Sequence, residues 1–248
     1  MSTLLLRLAG PMQSWGIQSR FTIRDTGLEP SKSGVVGLLC AALGRARHEP
    51  VDDLAALKMG VRVDRQGQVK MDFHTAGGGV MRPGEKYGVA LADGSGVRAV
   101  TSQRYYLADA DFLVGMESED ESLLHRLDAA LSRPIWPLFL GRKAFVPGTP
   151  VRLGIANLTF REALAAFPYQ VRSPREKARL LMDLEKGSPR LLRLVLEAEP
   201  GATAEVRPDQ PISFARRLFG LRYVRTDYLD LTASMIEEEF HVSLPSVA

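Results

Sequence analysis

The chain has 248 residues and a mass of 27.3 kDa, with 45% hydrophobic and 25% charged residues, enough for one large core or two modest ones without covalent staples. A single cysteine, Cys40, excludes an internal disulfide, and the lack of a leader pattern or of an apolar run near ~20 residues predicts a cytoplasmic protein with no membrane role. The net charge is only +3, but it is carried by 25 Arg and 7 Lys, and residues 1–47 hold six basic side chains against two acidic ones. An arginine excess suits phosphate recognition, although a GC-rich genome produces the same excess; acidic runs at 117–121 and 237–239 show that the charge is polarised.

In chain order, Thr3–Ala9 reads as a buried strand ending at Gly10-Pro11, and Ser33 is placed to cap an apolar helix from about Gly34 to Arg47. A short helical piece at Asp52–Lys58 precedes Val61–Val63 and Val69–Phe73, which flank Gly67 as a hairpin. Residues 74–106 carry Gly77-Gly78-Gly79, Pro83-Gly84 and Gly94-Ser95-Gly96, so they predict a projecting insertion, with strands Tyr87–Leu91 and Val97–Thr101 forming a hairpin. Asp109–Met116 is a further strand, Glu119–Leu131 an amphipathic helix stopped by Pro134, and the apolar Trp136–Leu140 a last strand. The order is β-α-β-β-(insertion)-β-α-β, an α+β, ferredoxin-like (RRM-like) core over residues 1–150 with the hairpin insertion at 74–106. Residues 151–248 carry helical pieces at Arg161–Phe167 and Pro174–Leu184 and strands at Leu191–Glu197 and Leu221–Tyr228, predicting a smaller C-terminal domain.

Two polar loops frame the first helix. Gln13 and Ser14 offer base-edge hydrogen bonds, and Trp15 offers either a stacking face or an anchor for its loop. Ser31, Lys32, Ser33 and Gly34, with nearby Arg20, predict a phosphate-binding helix entrance. Gly141, Arg142 and Lys143 place two adjacent cations at a strand end, and Arg104 stands at the insertion root beside Tyr105 and Tyr106. Arg82, Arg216 and Arg217 are candidates for a partner protein, and for the last two RNA is an equal target. Together these loops predict one cationic cradle for a single-stranded RNA backbone.

Four ordered blocks carry a resemblance: Leu8-Ala9-Gly10-Pro11-Met12-Gln13-Ser14-Trp15-Gly16; Pro30-Ser31-Lys32-Ser33-Gly34 with Gly37-Leu38-Leu39 and Ala42-Leu43-Gly44; Arg104 to Phe112; and Phe139-Leu140-Gly141-Arg142-Lys143. The chain resembles the CasD family of type I-E CRISPR Cascade subunits, within the RAMP superfamily. The likeness is dense to Pro150 and looser beyond it, where Phe214-Ala215-Arg216-Arg217 aligns; Ser31 stands where relatives often carry Thr. The resemblance implies a non-catalytic subunit in antiviral defence that holds the 5′ handle of the guide crRNA beside the backbone and large Cascade subunits, with a thumb-like hairpin.

Two rivals remain. A repeat-processing endoribonuclease requires a base, a proton donor and a cation on the phosphate, roles open to His74, Tyr105 and Lys86, although His74 shows no evident partner in the sequence. The other is a purely structural assembly subunit. No Cys/His cluster has metal-ligand spacing and Gly77-Gly78-Gly79 lacks a trailing Lys-Ser or Lys-Thr, so no metal, cofactor or small-molecule substrate is expected.

Overall fold

The computed structural model describes residues 1–18, 22–82, 85–188 and 190–237. The chain begins with β1 (Ser2–Ala9), β2 (Met12–Gln13), β3 (Ile23–Arg24), α1 (Lys32–Leu43), α2 (Asp52–Ala55), β4 (Lys58–Arg65) and β5 (Gln68–Ala76). It continues through β6 (Gly79–Arg82), β7 (Glu85–Tyr87), β8 (Val89–Ala90), β9 (Val97–Arg98), β10 (Val100–Ala108), β11 (Asp111–Ser118) and α3 (Glu121–Ser132). The last third adds β12 (Arg152–Ala156), α4 (Phe160–Ala166), α5 (Pro174–Glu185), β13 (Leu191–Glu197), β14 (Glu205–Ser213), β15 (Leu218–Asp230) and α6 (Ala233–Glu237).

Local chemistry sets the helix ends. Asp120 accepts the Leu123 N–H at 2.9 Å to start α3, Thr159 and Glu162 close a capping box on α4, and Ser173-Pro174 opens α5. α1 stops at Gly44, whose φ of +69° lets its own N–H and that of Arg45 return to Ala41 and Cys40. The N-cap of α1 is Ser31 and not Ser33, so the helix starts two residues earlier than the sequence predicts.

Seven strands form one antiparallel sheet in the order β12-β1-β11-β4-β13-β15-β14. β1 is apolar on both faces because both are covered. Leu4, Leu6 and Leu8 join Val61, Phe112 and Val114 against Val35 and Leu39 of α1 and Leu124 and Leu127 of α3. Leu5 on the reverse face joins Leu113, Leu194 and Leu196 under Ala163 and Leu164 of α4. Each such side chain taken from water contributes roughly 1.5–3 kcal/mol, so the two-sided sheet is the main source of stability.

Three expectations need correction. β4 and β5 are not a hairpin: β4 lies between β11 and β13, whereas the chain turns at Gly67 into a second sheet where β5 pairs with β10 from Gln68↔Ala108 to Ala76↔Val100. Val69, Met71 and Phe73 alternate as a half-buried strand would, yet Phe73 is 61% exposed and the other two are exposed with it. The inserted arm thus runs from 68 to 108, with the paired β6–β7 and β8–β9 between its long strands. Trp136–Leu140 is not a strand; β12 takes the sheet edge beside β1. Finally, β13, β14 and β15, from the segment expected to form a smaller domain, extend the main sheet across β4, and Val195 and Val224 join its core. No helix among the described residues is long and apolar enough to cross a membrane.

Candidate nucleic-acid interface

Several predicted contacts turn inward. Gln13 is 0% exposed: its Nε2 donates to the carbonyls of Leu8 and Ala110, both at 2.9 Å, and its Oε1 accepts the Trp15 indole N–H at 3.1 Å. Trp15 is 1% exposed, and Gly34 is where its ring passes, since a Cβ there would meet Cε3 at 2.8 Å. Trp15 is therefore a loop anchor, and Gly34 leaves room for an indole rather than for an RNA backbone. Ser14 Oγ lies 3.3 and 3.2 Å from the carbonyls of Asp25 and Tyr105, and Ser31 is buried. Gln13, Ser14 and Trp15 spend their polar groups on partners inside the protein, which corrects their base-contact reading. Arg20 lies outside the described residues, as does the side chain of Arg82.

Lys32 departs furthest from expectation. At 1% exposure, its ammonium donates to both Glu197 carboxylate oxygens at 2.9 and 3.0 Å, and its backbone N–H donates to Asp209 Oδ2 at 2.8 Å. Arg222 completes the cluster with two 2.9 Å bonds to Asp209. Burial pulls the Lys32 ammonium below the ordinary lysine range, opposed by the adjoining Glu197 carboxylate. Carboxylates occupy the space a phosphate would need, so the predicted cradle around Lys32 does not exist. Lys32 instead ties the start of α1 to β13, β14 and β15.

The first of the two loops meets the 140–143 segment instead. Ser14 N–H donates to the Leu140 carbonyl at 3.1 Å, and Gly141, with φ +83°, lies so close that a Cβ there would sit 1.7 Å from the Ser14 oxygen. Arg142 is half-buried, packs over the Phe145 ring with its guanidinium 5.5 Å from the centroid, and donates to the carbonyls of Arg24 at 3.1 Å and Asp25 at 3.3 Å. It braces the segment carrying Arg24, so its expected phosphate contact is corrected to a supporting one. Burial, reinforced by the Arg104 and Arg24 charges, lowers the Arg142 pKa from the ordinary arginine value. The parallel pairing of β3 with β10 sets Arg24 beside Arg104, whose Nε donates to Ser102 at 3.0 Å.

This field of positive charge opens into a cleft of about 510 Å³ along the outer face of α1. Ser33, Gly34, Gly37, Cys40 and Ala41 line it from the helix, together with five cations, Arg24, Arg45, Arg47, Lys143 and Arg217, and the aromatic rings of Trp136, Phe139, Phe214 and Phe219. Among the described residues, no carboxylate lines it. Arg45 is held by Asp53 at 2.5 Å, whereas Arg24, Arg47 and Lys143 have no ion-pair partner among the described residues. Of the predicted residues, Ser33, Gly34, Gly141, Lys143 and Arg217 gather here, and Arg216 stays exposed outside the lining. Sequence reading missed Arg24, Arg45, Arg47, Phe139 and Trp136; Arg45-Ala46-Arg47 just past the helix-ending Gly44 was the available signal.

Cys40 in the cleft wall is 7% exposed, and burial pushes its thiol up to about 11. At pH 8 only about one thiol in a thousand is then ionised, so a disulfide reagent such as DTNB is expected to react after unfolding and not in the native protein. Prompt stoichiometric reaction of the folded chain would contradict this packing. Among the described residues, no group of three or more His, Cys, Asp or Glu side chains is arranged to hold a metal ion.

Comparison with known proteins gives a consistent result. Residues 3–225 match the family model described as CRISPR-associated protein (Cas_Cas5). The chain is 32% identical over 170 residues to the CRISPR system Cascade subunit CasD of Escherichia coli, covering 62% of this chain and 70% of that protein. It is similar to a solved CRISPR RNA-guided surveillance complex chain, with TM-score 0.76 and 36% identity over 94% of this chain and 92% of that one. A second solved structure, described as a Cas protein, aligns with TM-score 0.68 and 43% identity over 92% and 95% of the two chains.

Proposed function

The chain belongs to the CRISPR-associated Cas5 family, and from that premise we propose that it is a crRNA-binding subunit of a Cascade surveillance complex, taking the 5′ handle into the cleft along α1. The observation that carries this reading is the composition of that cleft: five cations, of which only Arg45 is ion-paired, and four aromatic rings, with no carboxylate among the described lining residues, the set that a single strand with unstacked bases requires. The lining offers guanidinium and ammonium donors for phosphates and ring faces for bases, and the exposed Trp136 supplies the largest face. The order β12-β1-β11-β4, with α1 after β1 and α3 after β11, supports a ferredoxin-like (RRM-like) core, and the β5–β10 arm fits a thumb. The two-sided exposure of β5 suits contacts with the backbone and large subunits in a cytoplasmic assembly.

The same geometry supports a non-catalytic role. His74 does have a neighbour, with Nδ1 3.7 Å from Asp72 Oδ2, but His74 pairs with Ser102 and Tyr105 with Met71. Alternation then puts His74 and Tyr105 on opposite faces of the arm, where they cannot act on one phosphate. The side chain of Lys86 lies outside the described residues. Purified protein incubated in EDTA with fluorescently labelled repeat RNA is expected to bind without cleavage, the affinity falling as salt rises. Ordered cleavage abolished by His74→Ala would establish the nuclease instead, and absence of salt-dependent binding would leave a structural assembly subunit.

A further inference from the structure

We propose that Arg217 is an RNA-contacting residue, held in an unfavourable backbone conformation so that the β14–β15 turn can present its guanidinium to the phosphate of an unpaired ribonucleotide in the cleft. This rests on the cleft reading above, which by itself does not distinguish RNA from a protein partner at this turn.

Arg217 and Asp109 are the two non-glycine residues with positive φ among the described residues, and Arg217 sits at +52°. Left-handed backbone disfavours any side chain with a Cβ, and the end of a tight hairpin turn is where glycine or asparagine is at home. The turn spans 214–217 between the paired Ser213 and Leu218. Nothing within it demands arginine. The guanidinium has no hydrogen-bond or ion-pair partner among the described residues, and it lines the cleft. Phe214 and Phe219 form an edge-on pair at 6.3 Å and 64°, and the Phe214 ring sits over Gly37 of α1, 3.9 Å from where a Cβ would lie. The ring pair seats the turn against α1, which places the strained arginine on the cleft rather than away from it. Strain without a local return is a reason to look for a ligand, and the ligand that suits a free guanidinium beside exposed ring faces is a nucleotide, with phosphate on Arg217 and base against Phe219 or Trp136.

The test compares wild type, Arg217→Gly, Arg217→Gln and Lys143→Ala as full-length proteins binding labelled single-stranded repeat RNA across a salt series. Loss of one phosphate contact lowers the slope of log affinity against log salt by about 0.7, which over the decade below 1 M amounts to about fivefold at 0.1 M. Arg217→Gly is expected to raise the melting temperature by roughly 1–3 °C through relief of the left-handed strain, while lowering both affinity and slope by those amounts. Arg217→Gln keeps the strain and loses the charge, so it should lower slope and affinity with an unchanged melting temperature; it also serves if the glycine variant does not fold. Unchanged binding by both Arg217 variants while Lys143→Ala weakens it would overturn the assignment and leave the cleft reading intact. Unchanged binding by all three would overturn the cleft reading itself. Weaker binding with an unaltered slope would reduce Arg217 to a structural element of the turn, and a lower melting temperature for Arg217→Gly would remove the strain on which the inference stands.

Discussion

Lys32→Ala is expected to destabilise the fold by about 3–5 kcal/mol, the range for breaking a buried ion pair from one side, and to leave the salt dependence of RNA binding by the remaining folded protein unaltered. The ammonium satisfies both oxygens of Glu197, which also accepts the Met59 N–H at 3.1 Å and lies 3.7 Å from Arg222. Removing it strands a partly buried carboxylate, opens a void in a fully packed site and loosens the joint between α1 and the three C-terminal strands. For a chain of this length such a loss corresponds to roughly 10 °C or more in melting temperature. Lys32→Met with Glu197→Gln should recover much of the deficit, because the pair is then replaced and not broken. Urea unfolding of the single and double variants measures the coupling. Wild-type stability of Lys32→Ala together with a shallower salt slope would return Lys32 to the RNA surface and refute the structural role.

Why Lys32 misled is a matter of distance along the chain. Ser-Lys-Ser-Gly before an apolar helix has the local form of a phosphate site, and the groups that neutralise it are 165 and 177 residues away in sequence. Local patterning did reveal β1, α1, α3, α4, α5 and β13 to within a few residues, because each carries its own periodicity and most carry a cap or stop. It found β5 as a strand but gave it the wrong partner, because the turn at Gly67 looks like a hairpin locally while β5 pairs with β10 and β4 lies between β11 and β13. It failed again at Trp136–Leu140, an irregular segment in which Trp136 and Phe139 line the cleft while Leu138 and Leu140 pack into the core. Arg7 and Lys32 are tied to Asp111 and Glu197, but part of the cleft's charge was legible in the N-terminal third, whose basic excess includes Arg24, Arg45 and Arg47 of the lining. The particular residues were not, because Trp136, Phe139, Arg24 and Arg47 become neighbours only after the 133–147 segment folds back on α1, where the Ile135 and Trp136 N–H groups donate to the carbonyls of Ala42 and Ala41 at 3.0 and 3.1 Å.

That convergence sets the largest expected effect on function. Arg24, Arg47 and Lys143 line one cleft, are exposed and have no ion-pair partner among the described residues, so their removal subtracts charge without leaving a buried group unsatisfied. A triple Arg24→Ala, Arg47→Ala, Lys143→Ala variant should therefore keep its melting temperature within about 2 °C, the usual result of surface substitution. If each side chain meets a phosphate, the salt slope for single-stranded repeat RNA falls by about 2, and affinity at 0.1 M salt by roughly a hundredfold. A triple variant at Arg133, Arg175 and Arg179, exposed cations outside the cleft lining, removes the same formal charge and isolates position from net charge. If it weakened binding equally, attraction would belong to the whole surface; if the cleft variant alone loses the slope, the phosphates are held along the outer face of α1. Trp136→Ala completes the separation, since losing a stacking face should reduce affinity by about 1–3 kcal/mol with no change in slope.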